Sequence, residues 1–66
     1  MYHVFREFVE IEGEEFPTYS IVAPNGYTVH DVTPDMKEAY RLANTFTDQR
    51  LAPVHLRDAC EDYLAQ

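Results

Sequence analysis

One cysteine, two glycines, no tryptophan and five basic residues occur among the 66 residues of the chain. With Cys60 alone, an internal disulfide and any multi-cysteine zinc or iron–sulfur site are excluded. Gly13 and Gly26 are too far apart to form a glycine-rich phosphate loop. The five bases are scattered among twelve acids, and the net charge is −7. Counterion release from a nucleic-acid backbone needs clustered lysine and arginine, so no nucleic-acid partner is expected. No apolar run approaches the roughly 20 residues that span a bilayer, and no membrane partner is expected. The N-terminal stretch MYHVFREF lacks the basic-then-apolar order of a secretory signal. These absences point to a small, acidic, soluble domain, expected in the cytoplasm.

The length fits one domain, residues 1–66. A chain near this size buries only about 60% of the surface it exposes unfolded. Aromatic residues make up 14% of the chain, and each buries roughly 150–250 Å². They make a packed core credible; otherwise part of the surface is shared with a partner. A paired-carboxylate hydrolase is not expected, because so short a chain hardly encloses a cleft.

Tyr2 to Glu12 reads YHVFREFVEIE, rich in β-branched and aromatic residues, which predicts a strand. A helix is the competing reading, since Phe5, Phe8 and Val9 stand at i, i+3, i+4. As a strand it carries apolar residues on both faces, and a second chain is one way to cover the extra face. Gly13-Glu14-Glu15 reads as a turn. The second strand, Thr18 to Ala23, alternates cleanly: Tyr19, Ile21 and Ala23 point one way, Thr18, Ser20 and Val22 the other. In Ala23-Pro24-Asn25-Gly26-Tyr27, proline and asparagine fit the centre of a type I turn, and glycine fits the left-handed position after it. The resulting three-residue loop opposes Ile21 to Val29 and keeps Tyr19, Ile21, Ala23, Tyr27 and Val29 on one face.

A third strand, Tyr27 to Val32, runs into Thr33-Pro34-Asp35, a helix start with Thr33 as cap and Pro34 at the first position. Met36, Ala39, Ala43 and Phe46 recur at helical spacing, flanked by Tyr40 and Leu42, so the first helix is expected to end near Thr47. After a loop at Asp48 to Ala52, a second helix starts at Pro53 with Leu56, Ala59, Cys60, Tyr63 and Leu64 on one stripe. The expected architecture is α+β: a three-stranded antiparallel meander followed by two helices packed on one face, β-β-β-α-α.

The run Ala52 to Leu64, APVHLRDACEDYL, resembles the C-terminal signature of a family of short uncharacterised bacterial proteins. That family is a domain of unknown function found mainly in Gram-positive anaerobes. Its pattern is roughly Ser-Pro-Ile-His-Leu-x-Asp-x-x-Glu-Asp-Tyr/Phe-Leu/Ile. Tyr19-Ser20-Ile21 and Asp31-Val32-Thr33-Pro34-Asp35 are similar to its strand and helix-start segments. The resemblance covers residues 19 to 65 and none of residues 1 to 16. Ala52 stands where the pattern has serine. The resemblance implies no activity, because the family has none established.

Few side chains suggest chemistry. His55, Asp58 and Asp62 share a helical face at i, i+3, i+7 and are the candidates for a divalent metal, although two acids and one imidazole leave the coordination sphere short. The structural alternative is that His55, third in its helix, bonds the helix start or a nearby carbonyl. Cys60 lies inside the apolar stripe, where a buried inert thiol is expected rather than a nucleophile. His30 and Asp31 are neighbours in a strand and are expected on opposite faces. His3 is near a terminus. The densest charge cluster is Glu10, Glu12, Glu14 and Glu15. It reads either as a solvated turn guarding an edge strand or as a docking surface.

No catalytic residue, no cofactor-binding residue and no cofactor is expected. The expected function is a small non-enzymatic protein-interaction or regulatory module. Its partner is an unknown protein or a second copy in a weak homodimer. The interaction surface is Val4, Phe8, Glu10, Glu12, Glu14 and Glu15. Two other functions compete: a metal-binding or enzymatic domain using His55, and an acidic mimic of nucleic acid.

Overall fold

The computed structural model describes residues 1–65. Strands β1 (His3–Ile11), β2 (Glu14–Val22) and β3 (Thr28–Thr33) form an antiparallel sheet in the order β1-β2-β3. Helix α1 (Met36–Asp48), a 3₁₀ turn (Pro53–His55) and helix α2 (Leu56–Leu64) follow. The expected β-β-β-α-α order is the observed one, and the first segment is a strand. Tyr2, Ile21, Ala23 and Val32 meet Leu42, Ala43 and Phe46 of α1 and Leu56 and Cys60 of α2 in one buried cluster. Among the described residues, no helix is long and apolar enough to cross a membrane.

The first turn lies earlier than the glutamates suggest. Ile11 pairs with Glu14, and the turn residues Glu12 and Gly13 have φ of 52° and 84°. Two positive φ values in a two-residue loop make the hairpin turn whose twist matches the strands it joins. β2 therefore begins at Glu14, not at Thr18, with Phe16 and Pro17 inside it. In such a hairpin the closing pair is hydrogen-bonded, and the pairs alternate from there. Phe8–Pro17 is then a non-bonded pair, and the nitrogen of Pro17 faces away from β1. β3 reaches along β2 only to Tyr19, so the missing amide costs no ladder bond.

The second turn is the expected three-residue loop. The Gly26 amide donates to the Ala23 carbonyl at 2.9 Å, and the Ala23 amide donates to the Tyr27 carbonyl at 2.8 Å. Gly26 has φ 90°, and Ile21 opposes Val29. Beyond that pair the register shifts. Tyr19 opposes Thr33, so β3 uses four steps where β2 uses two, and Asp31 takes φ 55°. Aspartate is among the few non-glycine residues that adopt this conformation readily.

Both helix starts differ from expectation. Asp35, not Thr33, caps α1: its carboxylate accepts from the amides of Lys37 and Glu38 at 2.9 and 3.4 Å. Thr33 is the last residue of β3, and its hydroxyl accepts from the Asp35 amide at 3.1 Å. Ala39, Leu42, Ala43 and Phe46 are buried, so Leu42 is central rather than flanking. Met36, at the first helical position ahead of those turns, is exposed. Pro53 opens a 3₁₀ turn, and α2 proper begins at Leu56, with an uncapped Ala52 before the turn. Leu64 is exposed at the far end of α2.

The N-terminus of β1 is fastened to α1. The Tyr2 amide donates to Thr47 Oγ1 at 3.0 Å, its hydroxyl donates to the Leu51 carbonyl, and its ring stands edge-on to Phe46 at 5.7 Å. This places the helical layer over one end of the long β1–β2 hairpin. The molecule measures 38 × 25 × 19 Å.

Candidate interaction surface

Residues paired across a sheet share a face. Val4, Arg6, Phe8 and Glu10 of β1 therefore stand with Ile21, Tyr19, Pro17 and Glu15 of β2 on the helix side. Phe5, Glu7, Val9 and Ile11 stand with Ser20, Thr18, Phe16 and Glu14 on the other. The helices cover the Val4–Ile21 end only. From Phe8 to Pro17 every residue except half-buried Val9 is exposed. This stretch is an arm projecting beyond the core.

The arm is apolar and acidic at once. Phe8 is 57% exposed, Ile11 56% and Phe16 43%. The Arg6 guanidinium lies 5.4 Å from the centre of the Phe8 ring, a cation–π distance. Glu10, Glu12, Glu14 and Glu15 are exposed, and Glu10 stands directly opposite Glu15. Five of the six residues singled out as an interaction surface thus lie together on the arm. Val4 does not join them; it is half-buried and packs against the core.

Nearer the middle of the sheet, the face without helices holds a polar network. Ser20 donates to Glu7 Oε1 at 2.5 Å, and His30 Nδ1 lies 2.8 Å from the same oxygen. The Asp31 amide donates to Ser20 Oγ at 3.1 Å, and the Thr18 hydroxyl donates to the Asp31 carboxylate. His30 and Asp31 therefore reach the same face, contrary to simple strand alternation. The positive φ of Asp31 turns the chain so that the His30 side chain meets Glu7 and the Asp31 side chain meets Thr18 on that face. Phe5 closes over one side, its ring 6.3 Å from the His30 ring. Hydrogen bonds from Ser20 and then His30 hold the Glu7 carboxyl below its ordinary range. Ser20 is fully buried under these groups, so its hydroxyl is a structural link with no open side.

The remaining candidates are dispersed. His55, Asp58 and Asp62 are exposed, and no group of three His, Cys, Asp or Glu side chains among the described residues is placed to hold a metal ion. His55 bonds through its backbone: its amide donates to the Ala52 carbonyl at 2.9 Å. Its side chain makes no helix-start bond. Cys60 is buried, and desolvation pushes its thiol up to about 11. Glu38 joins the two helices, accepting from Arg41 at 2.6 Å and from the Tyr63 hydroxyl at 2.9 Å, and is held below its ordinary range by Arg41 first and Tyr63 second. His3 is exposed on β1.

Sequence reasoning missed Glu7, Thr18, Ser20 and Asp31 as a connected set. A β-bulge in β3 creates the set, and the one local hint is an aspartate followed by Val32 inside a short strand.

Residues 8–66 match the model of a family of unknown function, DUF6514. The chain belongs to this family. In this DUF6514 chain the match begins at Phe8, so it includes the arm as well as both helices and reaches further toward the N-terminus than residues 19 to 65. No curated protein and no solved structure matches the chain.

Proposed function

We propose that this chain is a small, non-enzymatic protein-interaction module of the cytoplasm that binds a partner strand along the arm formed by residues 8–17. The carrying observation is that arm: two paired strands with Phe8, Ile11 and Phe16 exposed and no helix over them. Among the described residues, nothing pairs with the outer edge of β1. Its backbone groups can accept a further strand, a common mode of peptide recognition. Burial of Ser20 and of the Cys60 thiol supports a non-catalytic role, because a nucleophile needs access and an activating base.

A photo-crosslinking residue placed at Phe8 in cells, with the exposed Tyr40 of α1 as control, tests the reading. Protein adducts are expected at position 8 and not at position 40. No adduct at position 8, or equal yields at both positions, overturns it.

A further inference from the structure

We propose that the strand accepted by β1 is β1 of a second copy of this chain, paired antiparallel with Phe8 opposite Phe8, to make a continuous six-stranded sheet. The inference rests on the reading of the arm as an interaction surface and names its occupant.

The backbone permits it. Ile11–Glu14 closes the hairpin, so the odd-numbered residues of β1 spend their N–H and C=O groups on β2. Val4, Arg6, Phe8 and Glu10 direct theirs to the outer edge. A two-fold axis perpendicular to the sheet then pairs β1 with itself in a small set of registers, each with one residue facing its own copy.

Side chains choose among those registers. With Arg6 or Glu7 at the axis, a like charge faces itself. With Phe5 at the axis, His3 meets Glu7 and Val4 meets Arg6. With Val9 at the axis, Ile11 meets Glu7 and Phe8 meets Glu10. With Phe8 at the axis, Arg6 meets Glu10 twice, Phe5 meets Ile11 twice, and Glu7 meets Val9. No like charges are then opposed. The three most exposed apolar side chains of β1, those of Phe8, Ile11 and Phe5, all gain apolar neighbours.

The charges need such a partner. Arg6 and Glu10 stand about 13 Å apart along one strand, at roughly 3.3 Å per residue, so they cannot pair within β1. Inside the chain Glu10 is opposed by Glu15, and Arg6 by Tyr19. Like charges directly opposite in a sheet repel. The second copy brings its Arg6 to the free side of Glu10 and relieves that repulsion. The helices do not obstruct: this register sets Val4 opposite Glu12, so the helix-covered end of each chain lies beside the bare turn of the other.

Sedimentation of the full chain over a wide concentration range is the test, with charge variants at the two exposed positions. The wild type is expected to shift from 7.7 kDa to twice that mass as concentration rises. Arg6→Glu and Glu10→Arg should each weaken dimerisation by about tenfold, because two pairs per dimer turn from attractive to repulsive. The double variant, and an equimolar mixture of the two single variants, should restore it. Circular dichroism of each variant confirms that the monomer remains folded. A monomer at millimolar concentration overturns the proposal, as does a dimer insensitive to the swaps or not rescued by the double variant. Adducts at position 8 with other proteins only, from a chain that stays monomeric, would leave the arm an interaction surface and refute the second copy as its occupant.

Discussion

The two ends of the β1–β2 hairpin share strands, pairing and alternation, yet their surroundings are opposite. At one end Ile21 and Ala23 are buried beneath α1 and α2; at the other Phe8, Ile11 and Phe16 face water. A two-stranded ribbon alone is marginal in water, so the arm depends on its continuity with the covered end. Apolar alternation says which residues share a face. Whether anything covers that face depends on how far the helical layer extends, and two short helices do not reach past the middle of nine-residue strands.

Removing packing from each end should sharpen the contrast most. Leu56 is fully buried where α2 meets the sheet, and Leu56→Ala should cost about 2–5 kcal/mol in urea unfolding. Phe8→Ala, measured where the chain is monomeric, should stay within about 0.5 kcal/mol of the wild type. Equal losses at both positions would show that the arm is packed as tightly as the core and end the comparison.

A smaller effect is expected at the turn that closes the covered end. Nothing lies within 4 Å of a Cβ added at Gly26, whose φ is +90°. Gly26→Val therefore meets a backbone penalty and no clash, and should cost more than about 1 kcal/mol. An unchanged melting temperature would remove the left-handed residue, and the Ile21–Val29 register with it.

Helix caps test the layer itself. Asp35→Ala removes the acceptor for two amides of α1 and should destabilise by about 0.5–2 kcal/mol. Ala52→Ser supplies a cap that the 3₁₀ turn lacks; since Ala52 is exposed, the change should stabilise by up to about the same amount, as read by thermal unfolding. A loss on Ala52→Ser would mean that the serine hydroxyl does not reach the turn amides.

The smallest effect is that of pH at the polar network. Glu7 and Glu38 both have folded-state pKa values below the ordinary 4.5. The unfolded chain then binds protons more readily than the folded one as pH falls. The stability these carboxylates contribute is present above about 4.5 and is lost as pH drops through their lower folded values. Glu7→Gln should flatten the acid limb of a stability–pH profile without abolishing it, since Glu38 remains. An unchanged acid limb would show that the Ser20 and His30 bonds to Glu7 do not couple to folding.

Much of this architecture was determined by the sequence alone, wherever a residue's conformational limits act locally. Pro24-Asn25-Gly26 defined its turn because the left-handed position strongly favours glycine. Ala39 to Phe46 defined a helix because apolar residues at a 3.6 period have no other regular use. Thr33-Pro34-Asp35 marked a helix start, but the expected cap, Thr33, was claimed by β3 as its last residue, and Asp35 caps the helix instead. Glu12 at positive φ, the bulge at Asp31 and the side-by-side placement of His30 and Asp31 were likewise decided by strand pairing, because register is a property of two segments and neither carries it alone. The arm was half visible: apolar residues on both faces of β1 showed that one face needed a cover, but only the packed helices decided that the uncovered stretch begins at Phe8.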